Sequence, residues 1–246
     1  MRFLSRLSFA TVTAASLASC DGADVTVNPD GVPLDEIEQG GTPPSELVLA
    51  GSDTVLIEEG DAFAIRVEGS EQAVSRLRFE RDGDQLLIAQ QSEDGNWLRD
   101  DAATIRVTMT APTEITMAGS GRIRSFGTAR TAQINIAGSG NIEVDRVGAE
   151  KLGVNIGGSG DVGAAGATQR LELNIAGSGS GDLAEVTVGE AKVNIIGSGD
   201  GRFDSNGSVT AKIVGSGAVA VTGSARCSVN SLGSGSLTCN GRKVQE

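Results

Sequence analysis

A tripeptide, Gly-Ser-Gly, recurs through the chain and constrains the fold more than any other feature. It begins at Gly119, Gly138, Gly158, Gly177, Gly197, Gly215 and Gly233, so that the steps are 19, 20, 19, 20, 18 and 18 residues. A near-constant period of this length is typical of a stacked array in which each repeat forms one structural unit. The spacing therefore predicts a solenoid with rungs of about 18–20 residues.

Apolar and polar residues alternate in front of each tripeptide. Such a period of two indicates a strand with one buried face. The position four residues before the first glycine holds Ile115, Ile134, Val154, Leu173, Val193, Ala211 and Val229, and the position two before it holds Met117, Ile136, Ile156, Ile175, Ile195, Ile213 and Ser231. A further apolar position follows the tripeptide, at Ile123, Ile142, Val162, Val219 and Leu237. Leu183 and Phe203 come slightly later, which predicts extra residues after those two turns.

Each repeat is interpreted as a strand, a Gly-Ser-Gly corner, a short strand and a polar return. One repeat cannot bury its own apolar face, but copies stacked about 4.8 Å apart would align their inward positions into a continuous core. Glycine suits the corner because it adopts positive φ without steric cost and lets successive corners lie on one another. The chain is therefore predicted to be all-β, with the architecture of a parallel β-helix (β-solenoid).

Two polar positions also recur with the repeat. Asn135, Asn155, Asn174 and Asn194 would stack as a ladder of hydrogen-bonded amides, an arrangement that stabilises stacked strands. The same ladder could instead serve as a polar binding stripe. The corner serines have the same two interpretations, corner hydrogen bonding or ligand binding, and we favour the structural one for both sets. These serines are Ser120, Ser139, Ser159, Ser178, Ser198, Ser216 and Ser234.

The first twenty residues have the pattern of an export signal. Arg2 and Arg6 form a positive start, a short apolar stretch runs from Leu7 to Leu17, and Leu-Ala-Ser-Cys ends at Cys20. This resembles a bacterial lipoprotein signal with its lipobox, and the resemblance implies that residues 1–19 are removed and that Cys20 is lipidated. Acyl chains would then anchor the protein to a membrane, for which we favour the outer membrane over the inner one. The alternative is an ordinary secretory signal.

The remaining chain divides by composition. Residues 20–45 are acidic, rich in proline and without apolar period, so they are expected to form an extended tether. Residues 46–246 are expected to form a single β-helix domain, with irregular rungs and a cap at 46–112 and regular repeats at 113–240. Residues 74–79 fit either a helical turn or a strand. Trp97 is expected to pack in the cap.

The arrangement resembles the family described as putative auto-transporter adhesin, head GIN domain. The opening strands at 55–57 and 63–67, the segment Arg81-Asp82-Gly83-Asp84-Gln85-Leu86-Leu87-Ile88 and the later Ile-Ala-Gly-Ser-Gly units carry this resemblance, which extends from about residue 46 to the C-terminus. It implies a right-handed β-helix on an exported or lipid-anchored protein. The family's name suggests adhesion, but it supplies no catalytic residues.

Two further cysteines lie in the last repeat. Cys227 and Cys239 stand six residues before and six after Gly233, and in an oxidising compartment such a pair suggests a disulfide. The bond would contribute about 2–3 kcal/mol at the end of the stack. Two buried free thiols are the alternative. With no histidine in the chain, a zinc site and a nucleophile–histidine–acid triad are not expected.

Charge and motif content narrow the function further. The formal net charge of −12 disfavours nucleic acid as a partner. Acids that could support catalysis, Asp161, Asp182, Asp200 and Glu143, do not recur at one repeat position with a basic partner, and the first three could at most bind Ca²⁺ weakly. A Gly-x-Gly-x-x-Gly match at Gly158 precedes no full helix, so it does not indicate a dinucleotide site. We predict no cofactor and no metal.

These observations leave two classes of function. We favour a non-enzymatic, lipid-anchored module of the bacterial cell envelope that uses a long polar face for adhesion, with an envelope polysaccharide or another surface protein as its partner. The alternative is a carbohydrate-active enzyme, a polysaccharide lyase or hydrolase, with a groove on the same scaffold. Convergent acids and bases in a cleft would favour the enzyme, and a flat ladder would favour the binding module.

Overall fold

The structure, a computed structural model, describes residues 31–91 and 102–244. Within these ranges the strands are joined by hydrogen bonds into one sheet system, which winds into a β-solenoid of about seven turns, as the repeat predicts. One short helix, α1 (Glu71–Arg76), lies between β3 and β4. The strands are β1 (Glu46–Gly51), β2 (Thr54–Glu59), β3 (Ala64–Glu68), β4 (Leu77–Asp82), β5 (Gln85–Gln90), β6 (Thr104–Met109), β7 (Glu114–Gly119), β8 (Arg122–Ser125), β9 (Thr131–Gly138), β10 (Asn141–Gly158), β11 (Asp161–Gly177), β12 (Ser180–Gly197), β13 (Asp200–Gly215), β14 (Ala218–Gly223), β15 (Arg226–Gly233), β16 (Ser236–Cys239) and β17 (Arg242–Lys243).

Two parallel sheets run along the solenoid, one on each side of the corners. The first sheet contains β1, β7, β9, the C-terminal parts of β10 to β13, and β15. The second sheet contains β2, β8, the N-terminal parts of β10 to β13, β14 and β16. Because successive rungs pair in register, residues at the same place in the repeat form columns parallel to the solenoid axis.

The corner glycines lie one on another as the sequence predicts. The first glycine of each tripeptide has φ between 119° and 134°. A Cβ at any of these positions would lie 2.2–2.4 Å from the carbonyl oxygen of the glycine in the preceding rung. That oxygen accepts the backbone N–H of the central serine at 2.8–3.1 Å. Both the backbone conformation and the close approach therefore require glycine.

The stack contains one further corner that lacks the Gly-Ser-Gly tripeptide. Gly51 pairs in register with Gly119 and also has positive φ, at 147°. Ser52 follows it, but the third position is Asp53, so the segment reads Gly-Ser-Asp. Within residues 31–91 and 102–244 no earlier corner lies against this one, and the third position can therefore carry a side chain.

The core lies between the two sheets and is built from the inward columns. The apolar residues before each corner are buried from Ile115 to Ile213, with exposed fractions of 3% or less. Those after the corner, from Ile123 to Leu237, are equally buried. In the last rung Val229 and Ser231 are only half-buried, because no further rung of the described residues packs against them.

The expectation of extra residues after two of the corners is wrong. Gly181 and Gly201 pair with each other in the column that is apolar in the neighbouring rungs, and Leu183 pairs with Phe203 at the next inward position. A Cβ on Gly201 would lie 2.9 Å from Cδ2 of Leu173. The Leu173 side chain thus fills the space that a side chain at position 201 would need. The large side chains of Leu183 and Phe203 occupy the adjacent inward column instead.

The N-terminal cap ends the parallel stack. β5 and β6 pair in parallel with β1 and β2, and β4 and β3 then pair with them in antiparallel orientation. Helix α1 begins after Ser70, whose Oγ accepts the N–H of Ala73 at 3.1 Å. Residues 74–79, for which a helical turn and a strand were both predicted, contain one after the other, because the helix ends at Arg76 and β4 begins at the buried Leu77.

Residues 31–45 are not the extended tether that their composition predicts. Val32 forms a bridge with Phe79, and the N–H of Gly40 donates to the carbonyl oxygen of Phe63 at 2.7 Å. Pro43 and Pro44 are buried. Leu34 and Ile37 are partly buried and pack against the hydrophobic core, so this segment belongs to the folded domain although it has no apolar period. Residues 20–30 of the expected tether lie outside the described residues.

Candidate functional site

The outward residues of the first sheet form one continuous surface, termed the ladder face. It consists of three columns, which follow from the in-register pairing of β7, β9, β10 to β13 and β15. The central column is Thr116, Asn135, Asn155, Asn174, Asn194, Lys212 and Asn230. The column beside the corners is Ala118, Ala137, Gly157, Ala176, Ile196, Val214 and Leu232, and the far column is Glu114, Gln133, Gly153, Glu172, Lys192, Thr210 and Ser228.

Four asparagines of the central column form a hydrogen-bonded ladder. The Nδ2 of Asn155, Asn174 and Asn194 each donates to the Oδ1 of the asparagine in the preceding rung, at 2.8, 2.9 and 2.8 Å. All four side chains are half-buried. The amides therefore point in one direction along the axis, and each is oriented by its neighbour.

Charged residues stand at both ends of this ladder. At the start, Nδ2 of Asn135 donates to Oε1 of Glu114 at 2.9 Å and to Oγ1 of Thr116 at 3.1 Å. At the other end, Lys212 pairs in register with Asn194. An anion at the donor end and a cation at the acceptor end match the direction of the amide dipoles, which favours the orientation seen.

The column beside the corners changes character along the solenoid. Its first four members from Ala118 onward are alanine or glycine. Ile196, Val214 and Leu232 then follow in adjacent rungs, with exposed fractions of 61%, 46% and 71%, and these are the exposed large apolar side chains of the described residues. A row of isoleucine, valine and leucine facing solvent is a candidate contact surface. The sequence shows the three residues, but only the register shows that they are neighbours.

The far column borders a shallow depression of about 380 Å³. Its lining includes Lys151, Arg170, Glu172, Glu190 and Lys192. Basic and acidic side chains are both present there, so the depression is polar and has no single sign of charge.

The seven corner serines form an exposed row next to the apolar column. Their backbone N–H groups hold the corners together, as described above, and their side chains face solvent. The row therefore adds exposed hydroxyls to the edge of the ladder face.

The candidate catalytic acids lie on the outer side of the second sheet. Asp161 and Asp200 share one column, with Ser180 between them. Glu143 and Asp182 share the adjacent column with Arg124 and Arg202, which corrects the expectation that these acids do not recur at one repeat position with a basic partner. Oδ1 of Asp161 accepts the N–H and the Oγ–H of Ser180 at 3.1 and 2.8 Å. Asp200 accepts a backbone N–H of the following rung at 3.0 Å. The carboxylates of Asp161 and Asp200 thus join neighbouring rungs.

Metal-binding groups are not clustered in the described ranges. No three residues among the histidines, cysteines, aspartates and glutamates of these ranges lie close enough together to hold a metal ion. Nor does any helix there have the length and apolar composition needed to cross a bilayer.

Asp53 is the carboxylate that the sequence interpretation missed. Its side chain is fully buried, and Oδ1 accepts the N–H of Ala103 and Nε2–H of Gln90, each at 2.8 Å. Burial raises the pKa of this carboxyl, and the two hydrogen bonds oppose the rise only in part. Asp53 connects the first corner to the cap and faces no cleft, so we assign it to the structure of the cap.

The two cysteines of the last repeat are joined. Cys227 and Cys239 form a disulfide with a Cα–Cα distance of 6.4 Å. Cys227 lies in the first sheet and Cys239 in the second, so the bond ties the two sheets together at the open end of the core. Cys20, the predicted lipidation site, and Trp97 lie outside the described residues.

Solved structures with the same fold come from Bacteroides and Parabacteroides species. A putative adhesin from Bacteroides fragilis NCTC 9343 aligns with a TM-score of 0.70 and 18% identity, over 80% of this chain and 93% of that one. A putative lipid binding protein from Parabacteroides distasonis ATCC 8503 aligns with a TM-score of 0.63 and 22% identity, over the same shares. A putative adhesin from Parabacteroides merdae ATCC 43184 gives 0.61 and 16%, over 80% and 92%. At such identities the likeness shows the fold.

A search of curated proteins gave no match. By contrast, the family model described as putative auto-transporter adhesin, head GIN domain, matches residues 43–225, which is well over half of the chain. The resemblance carried by the opening strands and the Gly-Ser-Gly units is thereby confirmed, and the chain belongs to the putative auto-transporter adhesin, head GIN domain family.

Proposed function

We propose that this protein is a non-enzymatic adhesion module of the bacterial cell envelope that binds its partner through the ladder face. The observation that carries the proposal is the ladder itself. Its amides are oriented along three successive hydrogen bonds. On one side lie the column beside the corners and then the exposed serines, and on the other side lies the far column, which is mostly polar. Such a surface repeats the same polar groups every 4.8 Å or so, which suits a repetitive partner.

An envelope polysaccharide is the partner that this lattice fits best. Sugar hydroxyls can donate to and accept from amides and serine hydroxyls, and a polymer can contact several rungs at once. No aromatic residue occurs in the three columns, so each contact is weak and avidity supplies the affinity. Family membership and the adhesins among the similar structures support a role at the cell surface or in the envelope.

Lipid attachment at Cys20 is the second part of the proposal. The signal-like residues 1–19 and the lipobox-like end support it, and the anchor would hold the module to the outer membrane in preference to the inner one. The test is incorporation of labelled fatty acid into the full chain expressed in a bacterium. The wild type and Cys227→Ser should be labelled, whereas Cys20→Ser should not; label in the Cys20→Ser chain would refute the anchor.

The binding role is tested with the chain from residue 20 onward carrying Cys20→Ser. Binding is measured on a glycan array and on envelope polysaccharides, with and without Ca²⁺. Ala137→Arg places a long cation on the ladder face, and Ala220→Arg places the same group on the outer side of the second sheet; both alanines are exposed. We expect Ala137→Arg alone to weaken binding. Equal binding by both variants would refute the ladder face as the site.

A product assay on every bound glycan separates adhesion from the enzyme alternative. Asp161 and Asp200 accept hydrogen bonds from the following rung and line no cleft, so we expect no turnover. Turnover would refute the proposal and direct mutation to Asp161, Asp182 and Asp200.

A lipid ligand is the second candidate. The exposed row of Ile196, Val214 and Leu232 favours it, and one similar structure is of a putative lipid binding protein. Vesicle flotation with Ile196→Ser and Leu232→Ser tests it. If these changes abolish flotation and no glycan binds, lipid replaces the polysaccharide as the proposed partner.

A further inference from the structure

The first sheet is open at its C-terminal end. Strands β7 to β13 of this sheet pair along both edges, whereas β15 pairs with β13 and with no other strand of the described residues. In the second sheet, by contrast, β17 covers the terminal strand β16 in antiparallel orientation. The edge from Arg226 to Asn230 therefore offers alternate backbone N–H and C=O groups to an incoming strand.

The end of the core is exposed beside this edge. Val229 occupies a column whose other members, from Ile115 to Ala211, are 1% exposed or less, yet Val229 itself is only half-buried. A depression of about 450 Å³ lies there, lined by Val229, Leu237 and Val244 together with Lys243. A further strand paired with β15 would bury Val229 as fully as the same position is buried in the earlier rungs.

Charge is distributed unequally along the solenoid. Residues 31–91 contain thirteen acidic and four basic side chains, whereas residues 205–244 contain Lys212, Arg226, Arg242 and Lys243 and no acid at all. All four basic side chains are exposed. A chain with a net charge of −12 thus has a basic segment over residues 205–244, after which Glu246 is the one acid in the sequence.

We propose that the C-terminal end of the solenoid is a docking site for an extended acidic segment of a partner polypeptide, which adds as a strand to the Arg226–Asn230 edge. A peptide backbone satisfies the edge groups, and acidic side chains match the basic surroundings. Anionic lipid could pair with the basic side chains but could not form backbone hydrogen bonds with the strand edge, so a polypeptide is the better match. This site adjoins the last rung of the ladder face, which contains Ser228 and Asn230, but it does not rest on the function proposed for that face.

The register predicts the sequence of the docked segment. Its side chains alternate between the two faces of the new strand. Those on the inner face lie over Cys227 and Val229 and are therefore apolar. Those on the outer face lie over Arg226 at one end, where an acid is favoured, and over Asn230 at the other, next to the exposed Leu232.

The probe is a blocked, fluorescent octapeptide of alternating aspartate and valine, and binding to the chain with Cys20→Ser is followed by anisotropy. Two control peptides replace aspartate by lysine, or place proline at the centre, where its missing N–H prevents strand pairing. We expect binding of the aspartate peptide only, weakened by salt, with slower hydrogen exchange at residues 226–230.

Arg226→Glu is the test variant and Arg170→Glu its control. Both arginines are exposed and stand in the same column, three rungs apart. We expect Arg226→Glu to weaken binding by about fivefold or more and Arg170→Glu to leave it unchanged. Circular dichroism verifies that both variants are folded.

Several results would overturn the proposal. They are no binding of the aspartate peptide up to about 1 mM, equal binding of the proline peptide, or equal weakening by the two variants. Self-association of the wild type that Arg226→Glu abolishes would identify the occupant as a second copy instead. Binding of phosphatidylglycerol vesicles without binding of the peptide would identify it as lipid.

Discussion

Replacement of Gly158 by alanine tests the corner geometry directly. Gly158 has φ of 119°, and an added Cβ would lie 2.3 Å from the carbonyl oxygen of Gly138. The strained backbone costs about 1–3 kcal/mol. Displacement of the corner also weakens the Ser159 N–H to Gly138 hydrogen bond of 2.9 Å, for about 1 kcal/mol more. We expect Gly158→Ala to lower the free energy of unfolding by about 2–4 kcal/mol and the Tm by about 5–15 °C.

The adjacent residue supplies the control. Gly157 lacks positive φ, and its added Cβ would come no closer than 3.5 Å to the carbonyl oxygen of Ile136. Alanine already occupies the same column at positions 137 and 176. Gly157→Ala should therefore be neutral or stabilise by up to about 1 kcal/mol. Urea and thermal unfolding of both variants, in chains with Cys20→Ser, measure the difference; equal stability of the two would refute the steric argument.

Three further changes test the ladder, the disulfide and the buried carboxylate. Asn174→Ala removes two ladder hydrogen bonds and should lower the free energy of unfolding in urea by about 1–3 kcal/mol. Asn230→Ala, in the same column beyond Lys212, should lower it by less than about 0.5 kcal/mol. Equal losses in the two variants would contradict a stabilising ladder. Reduction of the Cys227–Cys239 bond should speed hydrogen exchange in β15 and leave β10 unchanged, because the bond stabilises the terminal rung by about 2–3 kcal/mol; uniform exchange would show that the bond acts on the whole fold. Because the pKa of Asp53 is raised in the folded protein, its contribution to stability is present below the ordinary aspartate pKa of 3.8 and is lost as pH rises through the folded pKa. The Tm of the wild type relative to Asp53→Asn should therefore fall as pH increases above about 4, and a relative Tm that rises would reverse the sign of the shift.

Local chemistry explains why so much of the solenoid could be predicted. The missing Cβ of glycine and the period-two pattern of strands are properties of short segments, and their recurrence every 18–20 residues forces the repeats to stack. The asparagines follow from the same argument, since residues at one repeat position must become neighbours. The ladder from Asn135 to Asn194 and the corners from Gly119 to Gly233 could thus be identified before any coordinates.

The sequence by itself determined the period, the corners, the inward columns and the family of this protein. Only the tertiary structure decided that Leu183 and Phe203 share a column, that Pro43 is buried, and that Asp53 stands at the place of a corner glycine. It also decided that the exposed apolar row lies beside the ladder and that the edge of β15 has no strand partner in the described residues. The physical reason is that each of these features depends on what packs against a residue from another rung or from the cap. A local pattern records the residue's own preference, but it does not record its neighbours' volume, charge or hydrogen-bonding groups.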